Sequence, residues 1–261
     1  MTYLEVINSV LRRLRETEAT TVIDNSYTKL VATYVNDVMK EMRDQWDWNA
    51  DIKEVRFTLA ANDAGGRLDS DASSKVTNAV YLTQRSALVY DTRRRPIVID
   101  TTDANSETQL WEDNVNDIRR DYNLGNFSTT APTYFGLEWG ETGGTIWMNS
   151  LMDKQRTFRG LFYVPQEDLA VTDNTDATTV IELPTFPIIL GAVFYALNER
   201  GEEMGEPGNV AERRYIGAVT SAIENDDRAK QSYLYRYMSN DEVNGLYRDG
   251  DIFPEITETS N

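Results

Sequence analysis

Helical periodicity occurs at two places far apart in this chain, and strand periodicity fills the distance between them. The first helical block runs from Thr2 to about Trp46 and the second from about Phe186 to Arg228. An amphipathic helix must bury its apolar stripe against another element. Two such blocks, separated by a region of different period, are therefore expected to pack on each other and leave the middle as an insertion. This reading predicts an α+β fold. A helical bundle from the N- and C-terminal helices (1–50 and 185–228) carries a β-rich insertion over 51–184, with one helix near 105–122, and an extended C-terminal arm over 229–261.

The helical signals are local. Thr2 followed by Glu5 is a capping-box pattern, in which hydroxyl and carboxylate each satisfy a free backbone N–H. Leu4, Ile7, Leu11 and Leu14 recur at helical spacing, with Val6 and Val10 widening the stripe. Arg12, Arg13 and Arg15 crowd the last turn, where positive charge suits the helix dipole. Asn25-Ser26 can cap a second helix with a stripe of Leu30, Val31, Tyr34, Val35, Val38, Met39 and Met42, ending near Trp46-Asp47-Trp48. A short connection predicts that these two pack antiparallel. In the second block Pro187 fits the first turn, where its missing N–H does no harm. Ile188 to Leu197 is apolar around nearly the whole circumference, the signature of a buried helix. After a break at Gly201 to Gly208, a last helix shows Ala211, Tyr215, Ala218, Val219, Ala222 and Ile223 on one face.

From Lys53 the period becomes two. Val55, Phe57 and Leu59 alternate with polar residues, as in a half-buried strand. Asn62 to Ser74 reads as a loop, being rich in Asp, Gly and Ser. Further strands are predicted at 78–82, 87–90, 96–100, 133–139, 145–148 and 158–164, followed by a loop at 172–178 and by 180–183, which leads to the next helix. The pair 133–139 and 145–148, joined through Gly140 and Gly143-Gly144, has a hairpin signal. Leu110, Trp111, Val115, Ile118 and Tyr122 suggest an amphipathic helix over 105–122.

Charge and composition limit the chemistry. The 261 residues carry 43 acidic and 26 basic side chains, a net charge of −17. Such a chain does not bind nucleic acid by neutralising phosphates, though an acidic wall can let nucleic acid slide past. There is no cysteine and no histidine, which removes disulfides, thiol chemistry, the usual general base and the commonest transition-metal ligand. The start of the sequence lacks the basic and apolar regions of a signal peptide. The apolar run around Ile188 to Leu197 is too short to span a bilayer. A soluble protein of cytoplasmic origin, with no membrane partner, is expected.

Ser-His-Asp and Cys-His systems cannot be built from these residues, and no Gly-rich phosphate loop is present. Asp173, Thr175 and Ala177 do not supply an EF-hand set, and Asp69-Ser70-Asp71 lacks the turn glycine and closing Glu of a calcium loop. A carboxylate pair can hydrolyse a glycoside without histidine, and Trp46, Trp48, Trp111, Trp139 and Trp147 can stack on sugars or pack in a core. Arg93-Arg94-Arg95 can touch phosphate or form a turn between strands. No catalytic, cofactor-binding or metal-ligating residue is assigned.

The order of features resembles a known family. Tyr3-Leu4, Val6-Ile7-Asn8 and Val10-Leu11-Arg12-Arg13-Leu14 are similar to the start of phage head-to-tail adaptor proteins, the tail-tubular-protein-A-like group of short-tailed phages. The second helix ending in Trp46-Asp47-Trp48, the strand start Pro132-Thr133-Tyr134-Phe135, the strand end Phe162-Tyr163-Val164-Pro165 and the helix start Leu183-Pro184-Thr185-Phe186-Pro187 follow in the same order. The resemblance covers about residues 1–228. It implies a structural virion protein made in the host cytoplasm and located at the phage neck. It further implies a homo-oligomeric ring of about twelve copies, seated between the portal protein and the tail nozzle protein, through which genomic DNA passes without specific binding. A carboxylate-based carbohydrate-active hydrolase, or another tail-completion or nozzle component, is the alternative.

Beyond Arg228 the pattern fails while aromatics persist. Tyr233, Tyr235, Tyr237, Leu246, Tyr247, Ile252 and Phe253 are the candidate partner-interface residues. The three alternating tyrosines would share one side of an extended strand. The segment is then either an arm that binds a partner or a tail that folds back on its own domain.

Overall fold

The structure is a computed structural model that describes residues 1–91, 95–103, 106–201 and 206–236, with the backbone alone for 106, 206–208 and 230–236. It is an α+β fold with two large hydrophobic cores and a small third cluster of Ile52, Val89, Ile97, Ile99 and Leu161.

The first core is helical. Helix α1 spans Tyr3–Arg13, α2 Ser26–Gln45, α4 Thr185–Glu199 and α5 Glu206–Arg236. At α1 the capping box forms: the Glu5 N–H donates to Thr2 Oγ1 and the Thr2 N–H to Glu5 Oε2. Asn25 caps α2 by accepting from the Thr28 N–H at 2.8 Å. The stripe of α1 (Tyr3, Val6, Ile7, Val10, Leu11) meets that of α2 (Val31, Val35, Val38, Met39, Met42) and the apolar shaft of α4 in one cluster. Helix α4 touches α1, α2 and α5, as a helix apolar all round should. Its Gly191 permits the closest approach: a Cβ there would lie 2.8 Å from both Val38 methyls and 2.9 Å from the Tyr215 ring. Glu41 of α2 accepts hydrogen bonds from the hydroxyls of Tyr195 (α4) and Tyr215 (α5), each at 2.9 Å.

The second core lies between two sheets. In the first, β1 (Ile52–Leu59), β9 (Arg156–Tyr163), β4 (Val98–Asp103) and β5 (Ser106–Gln109) lie side by side and antiparallel, and β3 (Ala87–Leu88) also pairs with β9. In the second, the order is β2 (Gly65–Arg67), β8 (Gly144–Met148), β7 (Tyr134–Trp139) and β6 (Trp111–Glu112), with β6 and β7 parallel. Strand alternation sends Val55, Phe57, Leu59, Phe158 and Phe162 of one sheet towards Phe135, Ile146 and Met148 of the other. The rings of Phe57 and Phe158 stack at 5.2 Å. Helix α3 (Val115–Asn123) covers the outer face of the second sheet, over Gly136, where a Cβ would come within 2.8 Å of the Val115 Cα. Buried Arg156 is satisfied by Asp100 and Asp153, both at 2.7 Å, which ties β9 to β4.

Several elements differ from the sequence expectation. The helix expected over 105–122 is confined to Val115–Asn123, capped by Asn114. The residues before it form β5 and β6, because Leu110 is needed in the sheet core and Trp111 pairs with Tyr134. The loop 62–74 contains β2, whose glycines suit close pairing with β8. No strand forms at 78–82. There the Asn78 side chain accepts from Arg56 N–H and donates to the Glu54 carbonyl, replacing a backbone ladder along β1, and Ala79 turns left-handed at φ 56°. The stretch 180–183 leads into α4 as expected and also makes one bridge to the start of α1, between Val180 and Thr2. Leu169, Ala177, Ile181 and Leu183, expected in the insertion, belong to the helical core. The boundary expected at Arg228 does not exist: α5 runs on to Arg236, since Ala229, Lys230, Gln231, Leu234 and Arg236 are good helix formers with no glycine or proline among them.

Candidate functional site

The β module leaves the helical body after α2 and returns to it after β9, and the two crossings are adjacent. At the outgoing crossing Trp48 is fully buried and donates its indole N–H to the Met42 carbonyl at 2.9 Å. Arg43 of α2 makes a two-point pair with buried Asp51, at 2.9 and 3.2 Å. Asp226 of α5 closes the same place from the other end of the chain. Its carboxylate accepts the Trp46 indole N–H and the Asn49 backbone N–H, both at 3.0 Å, and its carbonyl accepts from the Asn49 amide at 2.8 Å. At the returning crossing the Val164 N–H donates to the Asp51 carbonyl. Asn36 of α2 then holds both the carbonyl and the N–H of Leu169. Charge-assisted and two-point bonds of this kind fix orientation. The helices thus set how the β module is presented.

Two surfaces flank this junction. One is a polar cleft of about 710 Å³ with Lys53, Gln84, Arg85, Gln166 and Asp168 in its lining. Its Asp168 pairs with Lys40 of α2 at 2.8 Å and lies 3.8 Å from Arg85. The other is a groove of about 850 Å³ on the helical body alone, floored by Pro187, Leu190, Ala218 and Ala222 and edged by Phe186, Arg13 and Arg214. Phe186 is 57% exposed, with the Arg13 guanidinium 5.8 Å from its ring centre.

The interface residues expected from sequence fall at the end of α5 or beyond it. Tyr233 and Tyr235 lie within the helix, so the alternation that would put them on one side of a strand does not apply. Tyr237, Leu246, Tyr247, Ile252 and Phe253 are outside the described residues, as are Arg93 and Arg94. Arg95 is paired with Asp91 at 2.7 Å. The tryptophans do not converge on one cleft. Trp46 and Trp48 line one pocket of about 390 Å³ at the junction, beside Asp44, Asp47 and Asp51, while Trp111 and Trp139 are exposed at opposite ends of the second sheet.

The acidic side chains serve mainly as ion-pair and capping partners. Asp69 is occupied by Arg67 at 2.5 Å and by the Thr142 hydroxyl at 2.7 Å. Burial raises its pKa, but these bonds and the Asp71 N–H together bring it below the usual range. Asp71 is lowered by the Ser73 N–H and hydroxyl, and Glu5 by the bonds of its capping box. Asp153 is lowered by Arg156, and Asp173 by Thr175. This direction is opposite to that of a glycosidase acid, which must hold its proton near neutrality. Burial and a hydrogen bond to Glu41 raise the Tyr195 hydroxyl to about 12. No cluster of three or more acidic side chains placed to hold a metal occurs among the described residues, and no helix among them is long and apolar enough to cross a membrane. The junction residues Asp226, Asn49 and Asn36 were missed from sequence, because nothing in a lone Asp or Asn announces a partner 177 or 133 positions away.

The chain matches no protein-family model, and no curated protein is detectably similar to it.

Proposed function

We propose that this protein is a structural virion component, a head-to-tail adaptor that forms a ring between portal and tail nozzle and lines the DNA exit channel. The observation that supports this reading is the joining of α1 and α2 with α4 and α5 in one helical core, with the β module carried between α2 and α4 at a braced junction. A subunit of that design can sit in a ring through its helices and hold the β module at a fixed angle. A head-to-tail contact closes into a ring when the rotation is right. The net charge of −17 suits a wall that DNA must pass without adhering.

Sedimentation of the protein mixed with its portal tests the proposal. Co-sedimentation at a fixed ratio in a complex larger than the portal supports it. Independent sedimentation of the two at micromolar concentration contradicts it.

A further inference from the structure

The groove on the helical body is apolar along its floor, with Arg13 and Arg214 in its lining; the one carboxylate among its described lining residues, Asp226, already accepts from the Trp46 indole and the Asn49 N–H. In this acidic chain most described surface cations have a carboxylate at hand: Arg12 pairs with Glu18, Arg200 with Glu16, Lys53 with Glu182 and Lys154 with Asp103. Arg13 and Arg214, which flank the groove, have no ion pair among the described residues. The floor is open to a visitor, since a Cβ added at Gly217 would meet nothing within 4 Å. An apolar trough of this size lies in the usual range for ligand pockets, about 300–1,000 Å³. With two unpaired guanidinium groups at its edge, it fits an acidic segment studded with large apolar side chains.

The chain itself contains such a segment. Asp251-Ile252-Phe253-Pro254-Glu255-Ile256-Thr257-Glu258 carries three carboxylates, no cation and three large apolar residues. Pro254 has no N–H to give a helix and biases Phe253 towards extended backbone, the form that lies along a groove. The distance also fits. Ala222 lies about 21 Å back along α5 from Arg236, and the intervening residues 237–250 reach about 45 Å when extended. A tether of that length holds its end at an effective concentration in the millimolar range.

We infer that the groove edged by Phe186, Arg13 and Arg214 is the docking site of the chain's own segment Asp251–Glu258. Ile252, Phe253 and Ile256 supply the apolar groups for the trough. Asp251, Glu255 and Glu258 supply the charge for the two arginines. Docking is within one molecule, and it does not depend on the ring reading: a chain that never forms a ring still closes its groove in this way.

The absence of cysteine makes disulfide trapping in the full chain a clean test. Ser221→Cys, at an exposed groove position, is combined with Ile252→Cys and oxidised at low micromolar concentration. The control pairs Ile252→Cys with Asn126→Cys, an exposed position just past the end of α3 in the β module. The expected product is an internal disulfide at monomer mass, formed severalfold faster than in the control. Reversing the rim with Arg13→Glu and Arg214→Glu should remove most of that advantage, and Arg13→Lys with Arg214→Lys should keep it. Both arginines are exposed, and circular dichroism checks that each variant folds. Disulfide-linked dimers as the main product would assign the groove to a second copy and overturn the inference. Trapping no faster than the control, or indifferent to charge reversal, would overturn it as well.

Discussion

Asp226 joins parts of the chain that sequence keeps far apart, and it does so with one carboxylate. Replacing it with Ala leaves the Asn49 N–H and the Trp46 indole N–H without their acceptor. Loss of a partner for partly buried donors costs about 1–3 kcal/mol, so Asp226→Ala should lower the thermal midpoint by several degrees. Asp226→Asn, which keeps one acceptor oxygen, should cost less. Leu11, buried in the helical core, is more sensitive still. Leu11→Asp buries an unpaired charge and should cost on the order of 4 kcal/mol or unfold the chain outright, as read by chemical denaturation. Asp69 gives a pH-dependent prediction. Its folded pKa lies below the usual carboxyl value. Its pairing with Arg67 is therefore fully stabilising above about pH 4, the unfolded value, and is lost as pH falls through the folded value. Asp69→Asn should flatten that acid-side loss in a plot of unfolding free energy against pH.

At the scale of elements, the helices were legible and the strands less so. Apolar residues at helical spacing and the Thr2–Glu5 box located α1 and α2 because those signals lie within one or two turns. Strand pairing is non-local, so alternation at Val55, Phe57 and Leu59 identified β1 without naming β9 as its partner. The misread stretch at 78–82 has the composition of a strand, but the Asn78 side chain takes over the backbone pairing. The C-terminal boundary was misplaced because the apolar stripe of α5 fades near Ile223 while helix-forming residues continue to Arg236. None of the residues that brace the junction carried a local signal. The close packing at Gly191 is equally silent in sequence, and it is testable. Gly191→Ala would force a Cβ against Val38 and Tyr215, so the gain in helix propensity should be outweighed. Overpacking costs about 1–3 kcal/mol, and a net loss of stability is expected on calorimetry. An unchanged or raised midpoint would show that α2 and α5 are free to move apart.

At the scale of the molecule, the chain places a helical body and a β module on one braced junction and surrounds both with negative charge. That charge should leave free duplex DNA unbound at ordinary salt, and a mobility-shift assay showing tight, salt-sensitive binding would contradict the channel-wall reading. A neck adaptor of the proposed kind assembles in many copies on a portal. Electron micrographs of the purified protein mixed with the portal test this most directly. The account predicts a ring of about twelve copies on one end of the portal, coaxial with its channel. Portal particles with no added density, alongside a free monomeric protein, would contradict it.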